Sequence, residues 1–286
     1  MPTFSDRRVD TSGIELRGRG RRPVAIGGGL GIGGLLIVLL FNLLSGGTGG
    51  SFLTMPGEAE ISGTGETIEQ MERRCNTAGA LERYDDCYLV KVYNEINEIW
   101  ADELDGYRPP RFAFFQDGVD TSCGMASAEV GPFYCPPDEE VFIDLGFLEE
   151  LQRRFGATGR TAQAYILAHE IGHHLQTLQG TEREVRAAQR RDPSRTNDLS
   201  IAMELQADCF AGVWGRKADA RGSVSITDAE LDEALRAAAA VGDDRIQRAT
   251  QGRVDPESWT HGSAAQRRSW YRRGFDAGAL DACDTF

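Results

Sequence analysis

Between Thr161 and Gly180 the chain reads TAQAYILAHEIGHHLQTLQG, and this stretch constrains what the rest can fold into. A hydroxyl that can cap a helix and a glycine that can end one stand about five turns apart. His169 and His173 are four residues apart, so a helix stacks them on one face. Two imidazoles one turn apart can both reach one Zn2+ at about 2.0–2.1 Å. Glu170, inside the same His-Glu-x-x-His motif, lies about 100° round the helix, placed for water rather than for the metal itself. Leu167, Ile171, Leu175 and Leu178 take the opposite side and require a core. Packing is the plainer role for histidines on a helix. Yet the chain has four histidines, and His169, His173 and His174 fall within six residues, which speaks for a metal. Gly172 costs about 1 kcal/mol against alanine in a helix interior; a close approach to this helix accounts for it.

The charge is uneven. Net charge is −13, and residues 1–23 carry six arginines against three acids, leaving −16 for the remainder. An acidic body repels nucleic acid, so no DNA or RNA partner is expected. Residues 1–23 lack an apolar period and read as a basic, disordered, cytoplasmic tail. Residues 24–44 carry no charge and end LLIVLLFNLL. That length suits a transmembrane signal anchor, and the preceding arginines put the N-terminus in the cytoplasm and the body outside. A buried core helix or a cleaved signal peptide are the rivals; the run is long for the first and lacks a small-x-small cleavage site for the second. The expected location is the cell membrane, single-pass, with an extracytoplasmic catalytic domain. Residues 45–66 are a Gly/Ser-rich linker, and residues 67–286 form one domain large enough for a substantial core.

Six cysteines, Cys75, Cys87, Cys123, Cys135, Cys209 and Cys283, all lie beyond the apolar run. An even number in that position reads as disulfides in an oxidising compartment, against the alternative of buried free thiols. No CxxC pair is present, so a cysteine zinc site is not expected. Of the fifteen pairings possible, the expected one is Cys75–Cys87, Cys123–Cys135 and Cys209–Cys283: two short local loops, and a tie from the C-terminus to the helix after the motif.

Residues 67–105 read as helical, with Ile96, Ile99, Trp100 and Leu104 on one face. RFAFFQ (111–116) and VFIDL (141–145) read as strands, 121–135 as a cysteine-bounded loop or hairpin, and 146–155 as a helix. Residues 181–195 read as a solvated charged helix and loop. A further helix over 198–217 carries Glu204 and Asp208, again four apart on one face. Thr227 and Glu230 form a capping box, and a short helix follows at 260–267. The fold class is α+β, a mainly helical zincin-like domain with a small sheet, preceded by one transmembrane helix.

A catalytic zinc needs three protein ligands and an open position. Glu204, Asp208 and His261 are the candidates for the third. A longer HExxHxxGxxH pattern would need glycine at 176 and histidine at 179, and both are glutamine. Glu204 has the best claim, completing a His2Glu set, with Asp208 placed to accept the other ring N–H of a zinc histidine. Read alone, the two are surface carboxylates; following the motif by some thirty residues changes their weight. The chemistry is that of a zinc-activated water with Glu170 as general base, handing its proton to the departing nitrogen. The tetrahedral oxyanion needs a further donor. His261 stands outside the helix, and Arg267 can orient it or bind substrate; a loop surface residue is the equal alternative for His261.

The stretches AHEIGHHLQ, ELQADCFAG, THGSAAQR and terminal CDTF, with the basic, glycine-rich N-terminus and span, together resemble the putative neutral zinc metallopeptidase family of bacterial membrane-anchored proteins. The chain is similar to gluzincins. The resemblance implies zinc ligands His169, His173 and Glu204, with Glu170 catalytic. It implies Asp208 behind a ligand and His261 with Arg267 near the transition state. It also implies VFIDL as the edge strand along which an extended peptide lies. The leading expectation is a membrane-tethered, zinc-dependent endopeptidase acting on a peptide or protein substrate. The rivals are a non-catalytic, zinc-stabilised envelope module that binds proteins and a zinc hydrolase of non-peptide amides.

Overall fold

The computed structural model describes residues 3–17, 66–116, 118–127, 131–144, 146, 159–251 and 253–286. Both runs read as strands form them. β3 (Arg111–Phe115) and β7 (Glu140–Asp144) pair in parallel at the centre of a four-stranded sheet. β2 (Ile14–Arg17) lies parallel to β3 on one side, and β6 (Phe133–Cys135) lies antiparallel to β7 on the other. VFIDL is therefore not the edge strand. Val141, Phe142 and Ile143 are fully buried, as an interior strand requires, and among the described residues β6 is the edge on that side. A hairpin, β4 (Gly118–Thr121) and β5 (Gly124–Ser127), lies within the cysteine-bounded segment. A second apolar cluster packs there, with Phe133 stacked on Phe142.

The residues expected to be one helical stretch break into α1 (Ile68–Cys75), α2 (Ala80–Arg83) and α3 (Asp85–Glu103). The break falls at Gly79, whose φ of 77° is left-handed. The motif helix, α4 (Arg160–Gln179), ends at Gly180 with φ 81°. Its start differs from expectation. Gly159 is the cap, and Thr161 lies inside the first turn, buried. Leu167, Ile171 and Leu175 are fully buried in the main core, as their spacing requires. α5 (Thr181–Arg191) follows, then α6 (Thr196–Arg221), longer than read from sequence. β8 (Val224–Ser225), α7 (Asp228–Ala240), α8 (Asp243–Gln251) and α9 (Ala264–Ala277) complete the chain. α7 starts at the Thr227–Glu230 capping box, and α9 at a second one from Ser263 and Gln266.

Glycines set how closely the three site helices approach. A Cβ on Gly172 would stand 3.0 Å from the Ala207 carbonyl oxygen and 3.1 Å from its Cα, so α4 and α6 nearly touch backbone to backbone. α9 crosses α6 in the same way, Gly274 against the Cys209 carbonyl and Gly212 against that of Tyr271. Disulfides join Cys75 to Cys87, Cys123 to Cys135 and Cys209 to Cys283, the pairing expected from sequence.

The fold is α+β, mainly helical with a small sheet, but the membrane-spanning helix included in that expectation is not part of it. Among the described residues no helix is long and apolar enough to cross a membrane; the long helices α3, α4 and α6 carry ionisable side chains along their length. Residues 24–44, where the span was expected, lie outside the described residues, as do 45–65 of the expected linker and most of the expected helix at 146–155. The expectation of a disordered tail fails for residues 3–17. β1 (Thr3–Phe4) pairs with β8, and β2 completes the main sheet. Phe4, Val9 and Ile14, five apart and without helical or strand period, are each buried by tertiary contact. The Asn76 amide binds both the N–H and the C=O of Val9, and Asn94 does the same for Asp10. Arg17 pairs with the fully buried Glu140 at 2.8 Å. The N-terminal segment is a strap on the body, not a tail beside it. Phe4→Ala should lower unfolding free energy by about 3 kcal/mol, the cost of a buried phenylalanine, in a urea titration; a segment that hung free would leave the midpoint unchanged.

Candidate metal centre

α4 presents His169 and His173 one turn apart, with ring centroids 4.8 Å apart and nearly perpendicular. α6 brings the Glu204 carboxylate between them, 3.2 Å from His169 Nε2 and 3.5 Å from His173 Nε2. Which ring nitrogen faces the carboxylate is fixed from behind. His169 Nδ1 lies 2.9 Å from Asp208 Oδ1, and His173 Nδ1 lies 2.8 Å from Gln176 Oε1. Both partners are acceptors, so each Nδ1 donates its proton to the group behind it, and each Nε2 is the nitrogen turned towards the carboxylate. The three donor atoms lie within 4.8 Å of one another. Ligands about 2.0–2.1 Å from a tetrahedral zinc stand about 3.3 Å apart, close to the two imidazole-to-carboxylate distances of 3.2 and 3.5 Å. Two neutral imidazoles and one carboxylate fit a zinc ion in kind and in spacing.

Asp208 is fully buried and held on every side. Tyr165 donates to Oδ1 at 2.5 Å, and Arg267 grips both oxygens at 2.7 and 2.9 Å. Burial opposes the Asp208 charge, but the Arg267 guanidinium overcomes it and holds the carboxyl below its ordinary range. The same Arg267 reaches the Tyr165 hydroxyl at 3.2 Å and stands 3.3 Å from the His169 ring. This departs from expectation. Arg267 is 3% exposed and locks the carboxylate behind a ligand, and no hydrogen bond links it to His261. In the cation-free cluster burial depresses His169, but the Asp208 charge prevails and pushes it up to about 9. Burial pushes His173 down. Glu204 is driven well below the carboxylate range, against its burial, by His261 and the two α4 imidazoles.

Glu170 lies beside this group and points to the sheet. The backbone N–H of Tyr134, on the free edge of β6, hydrogen-bonds its carboxylate, while burial pushes the carboxyl up to about 7. His174 takes no part in the metal group. It accepts from the Tyr134 hydroxyl at 2.9 Å and donates from Nε2 to the Arg108 carbonyl at 2.7 Å. It pins β6 and the chain before β3 to the motif helix, so one of the three clustered histidines is a packing residue after all.

His261 sits in the loop before α9. Its Nδ1 lies 3.2 Å from Asp243 Oδ1, and Asp243 Oδ2 accepts the backbone N–H groups of Thr260, His261 and Gly262. Burial opposes the imidazolium, but Glu204 and Asp243 raise the His261 pKa. Asp243, Gln176 and Tyr165 were not singled out from sequence. Asp243 opens a helix eighteen residues before His261, a spacing that carries no signal. Gln176 was read only as the residue that breaks a longer histidine motif. Tyr165 lies one turn before His169, and its face-sharing was the available clue.

Over residues 3–286 the chain matches the family described as putative neutral zinc metallopeptidase. It is similar to the uncharacterized protein YpfJ of Escherichia coli K12, 38% identical over 98% of this chain and 94% of that one. It is also similar to the uncharacterized proteins Rv2575 of Mycobacterium tuberculosis H37Rv and Mb2605 of Mycobacterium bovis, each 41% identical over 74% of both chains. No solved structure matches it. Asp208→Ala should cost about 3–5 kcal/mol of stability by leaving Arg267 buried without its partner. It should also weaken zinc binding about 10–100-fold by freeing the His169 ring. Urea unfolding and chelator competition read the two losses separately, and adding Arg267→Met should restore stability without restoring affinity.

Proposed function

The chain belongs to the neutral zinc metallopeptidase family, and from that premise we propose that it is an endopeptidase whose centre is His169, His173 and Glu204 with Glu170 as general base. Zinc is the cofactor of this family. Bound here, it supplies Lewis-acid polarisation of the scissile carbonyl and acidifies water. The single observation that carries the proposal is the convergence of both Nε2 atoms and the Glu204 carboxylate on one point, with Glu170 and the β6 edge alongside.

The chain's own residues divide the remaining work. Glu170 accepts a proton from the attacking water and passes it to the departing amide nitrogen. Its burial favours that exchange: a carboxyl poised near neutrality both takes and returns a proton at pH 7. His261, held by Asp243 and with its pKa raised by Glu204 and Asp243, donates to the oxygen that gains charge in the transition state. Arg267 acts through Asp208, fixing the His169 ring rather than meeting the substrate. β6 replaces VFIDL as the strand that aligns an extended peptide, because its outer edge faces Glu170. The three disulfides support an oxidising compartment as the place of action.

Glu170→Gln separates the peptidase from a protein-binding module stabilised by zinc. It should lower kcat/KM on unfolded protein substrates by about 10^2–10^4-fold, the usual share of a general base, with zinc content unchanged; full activity in the variant would mean that Glu170 is not the base. The pH profile should be bell-shaped. Activity rises as Glu170 loses its proton and falls as His261 loses its own, and His261→Phe should remove the alkaline limb while leaving the acid limb in place.

A further inference from the structure

The ring of His173 is fixed by a chain of hydrogen bonds that runs to the C-terminus. Its Nδ1 meets Gln176 Oε1 at 2.8 Å. A glutamine amide presents an oxygen at one tip and a donor at the other, and a half-turn of its end would set N–H against N–H at His173. The far tip prevents this. Gln176 Nε2 donates to the Met203 carbonyl at 2.8 Å and to Gln206 Oε1 at 3.0 Å. Gln206 has the same ambiguity, and its own Nε2 donates to the Cys283 carbonyl at 3.1 Å. That carbonyl can only accept, and it fixes Gln206 as the Met203 carbonyl fixes Gln176, so two backbone acceptors set the direction of the bonds before them. Cys283 accepts from Gln206, Gln206 from Gln176, and Gln176 from His173, which leaves the lone pair on Nε2. Gln176 is fully buried and Gln206 nearly so, and water does not compete for these bonds.

The origin of the chain is itself anchored. Cys283 is joined to Cys209, one turn beyond Gln206 on α6. Thr285 donates to the Ala202 carbonyl at 2.9 Å. The last residues thus close on the helix that carries Glu204.

We infer that Gln176 and Gln206 are positioning residues through which the Cys283 carbonyl, together with that of Met203, sets the polarity of the bond to His173, so that the disulfide-clasped C-terminus is a working part of the metal centre. This rests on the zinc reading of the site. Its test uses the full chain as wild type, Gln206→Leu, Gln176→Leu, Gln176→Glu and the paired Cys209→Ser/Cys283→Ser variant. Zinc affinity is read by chelator competition, the His173 tautomer of the cation-free protein by 15N NMR at pH 8, and folding by the thermal midpoint. Gln206→Leu touches no ligand, yet should weaken zinc about 10-fold, and Gln176→Leu about 10–100-fold, the range found when a metal histidine loses its partner. Gln176→Glu restores an acceptor and should recover part of that affinity. The wild type should show the proton on Nδ1 of His173, and Gln206→Leu and the paired serine variant a mixture of both tautomers. Equal affinity and an unchanged tautomer in Gln206→Leu and the serine variant would overturn the inference. If the wild type bound no zinc, the zinc reading would fail, and the tautomer in these variants would still decide the inference.

Discussion

A buried imidazole and a half-buried one turn the same nitrogen on one carboxylate only if something behind each ring holds the other nitrogen. Here Asp208 and Gln176 do so, at 2.9 and 2.8 Å. The constraint is expensive, since a buried carboxylate and a buried guanidinium must each be compensated. The answer is a closed set: Asp208 between Arg267, Tyr165 and His169, with no unmatched charge left inside. The centre is therefore stiff before any cation arrives, which lowers the cost of binding one.

The packing of the helices serves that constraint. Glu204 reaches the α4 histidines because Gly172 lets α6 come within backbone contact, and Arg267 reaches Asp208 because Gly212 and Gly274 let α9 do the same against α6. Side chains at these three points would push the helices apart, and ligand atoms that now stand 3.2 and 3.5 Å from one another would no longer close on one ion. His174 extends the same frame to the sheet, so that the free edge of β6 stands beside Glu170.

The motif residues were legible because helical spacing turns sequence into geometry without help from the rest of the fold. His169 and His173 share a face, and Glu204 and Asp208 share another, whatever surrounds them. The cysteine pairing was legible for a related reason: two of the loops are short, their partners twelve positions apart. What failed depended on contacts between distant segments. Arg267 follows His261 by six residues but turns to Asp208, a contact that no spacing encodes. β6 is three residues long and gives no alternation, and the resemblance had put the edge on the longer, fully buried β7. The strap of residues 3–17 has charged, unpatterned sequence, and its order comes from side-chain amides 67 and 84 residues away. The spanning helix was inferred from the length of an uncharged run and the arginines before it, and the described residues contain none.

The account turns on one coordination set, and X-ray absorption at the zinc edge on the purified full chain reads it directly. The account predicts one zinc per chain with two imidazole nitrogens and carboxylate oxygen at about 2.0–2.1 Å and no sulfur neighbour. A shell containing sulfur at about 2.3 Å, or a single imidazole, would contradict it.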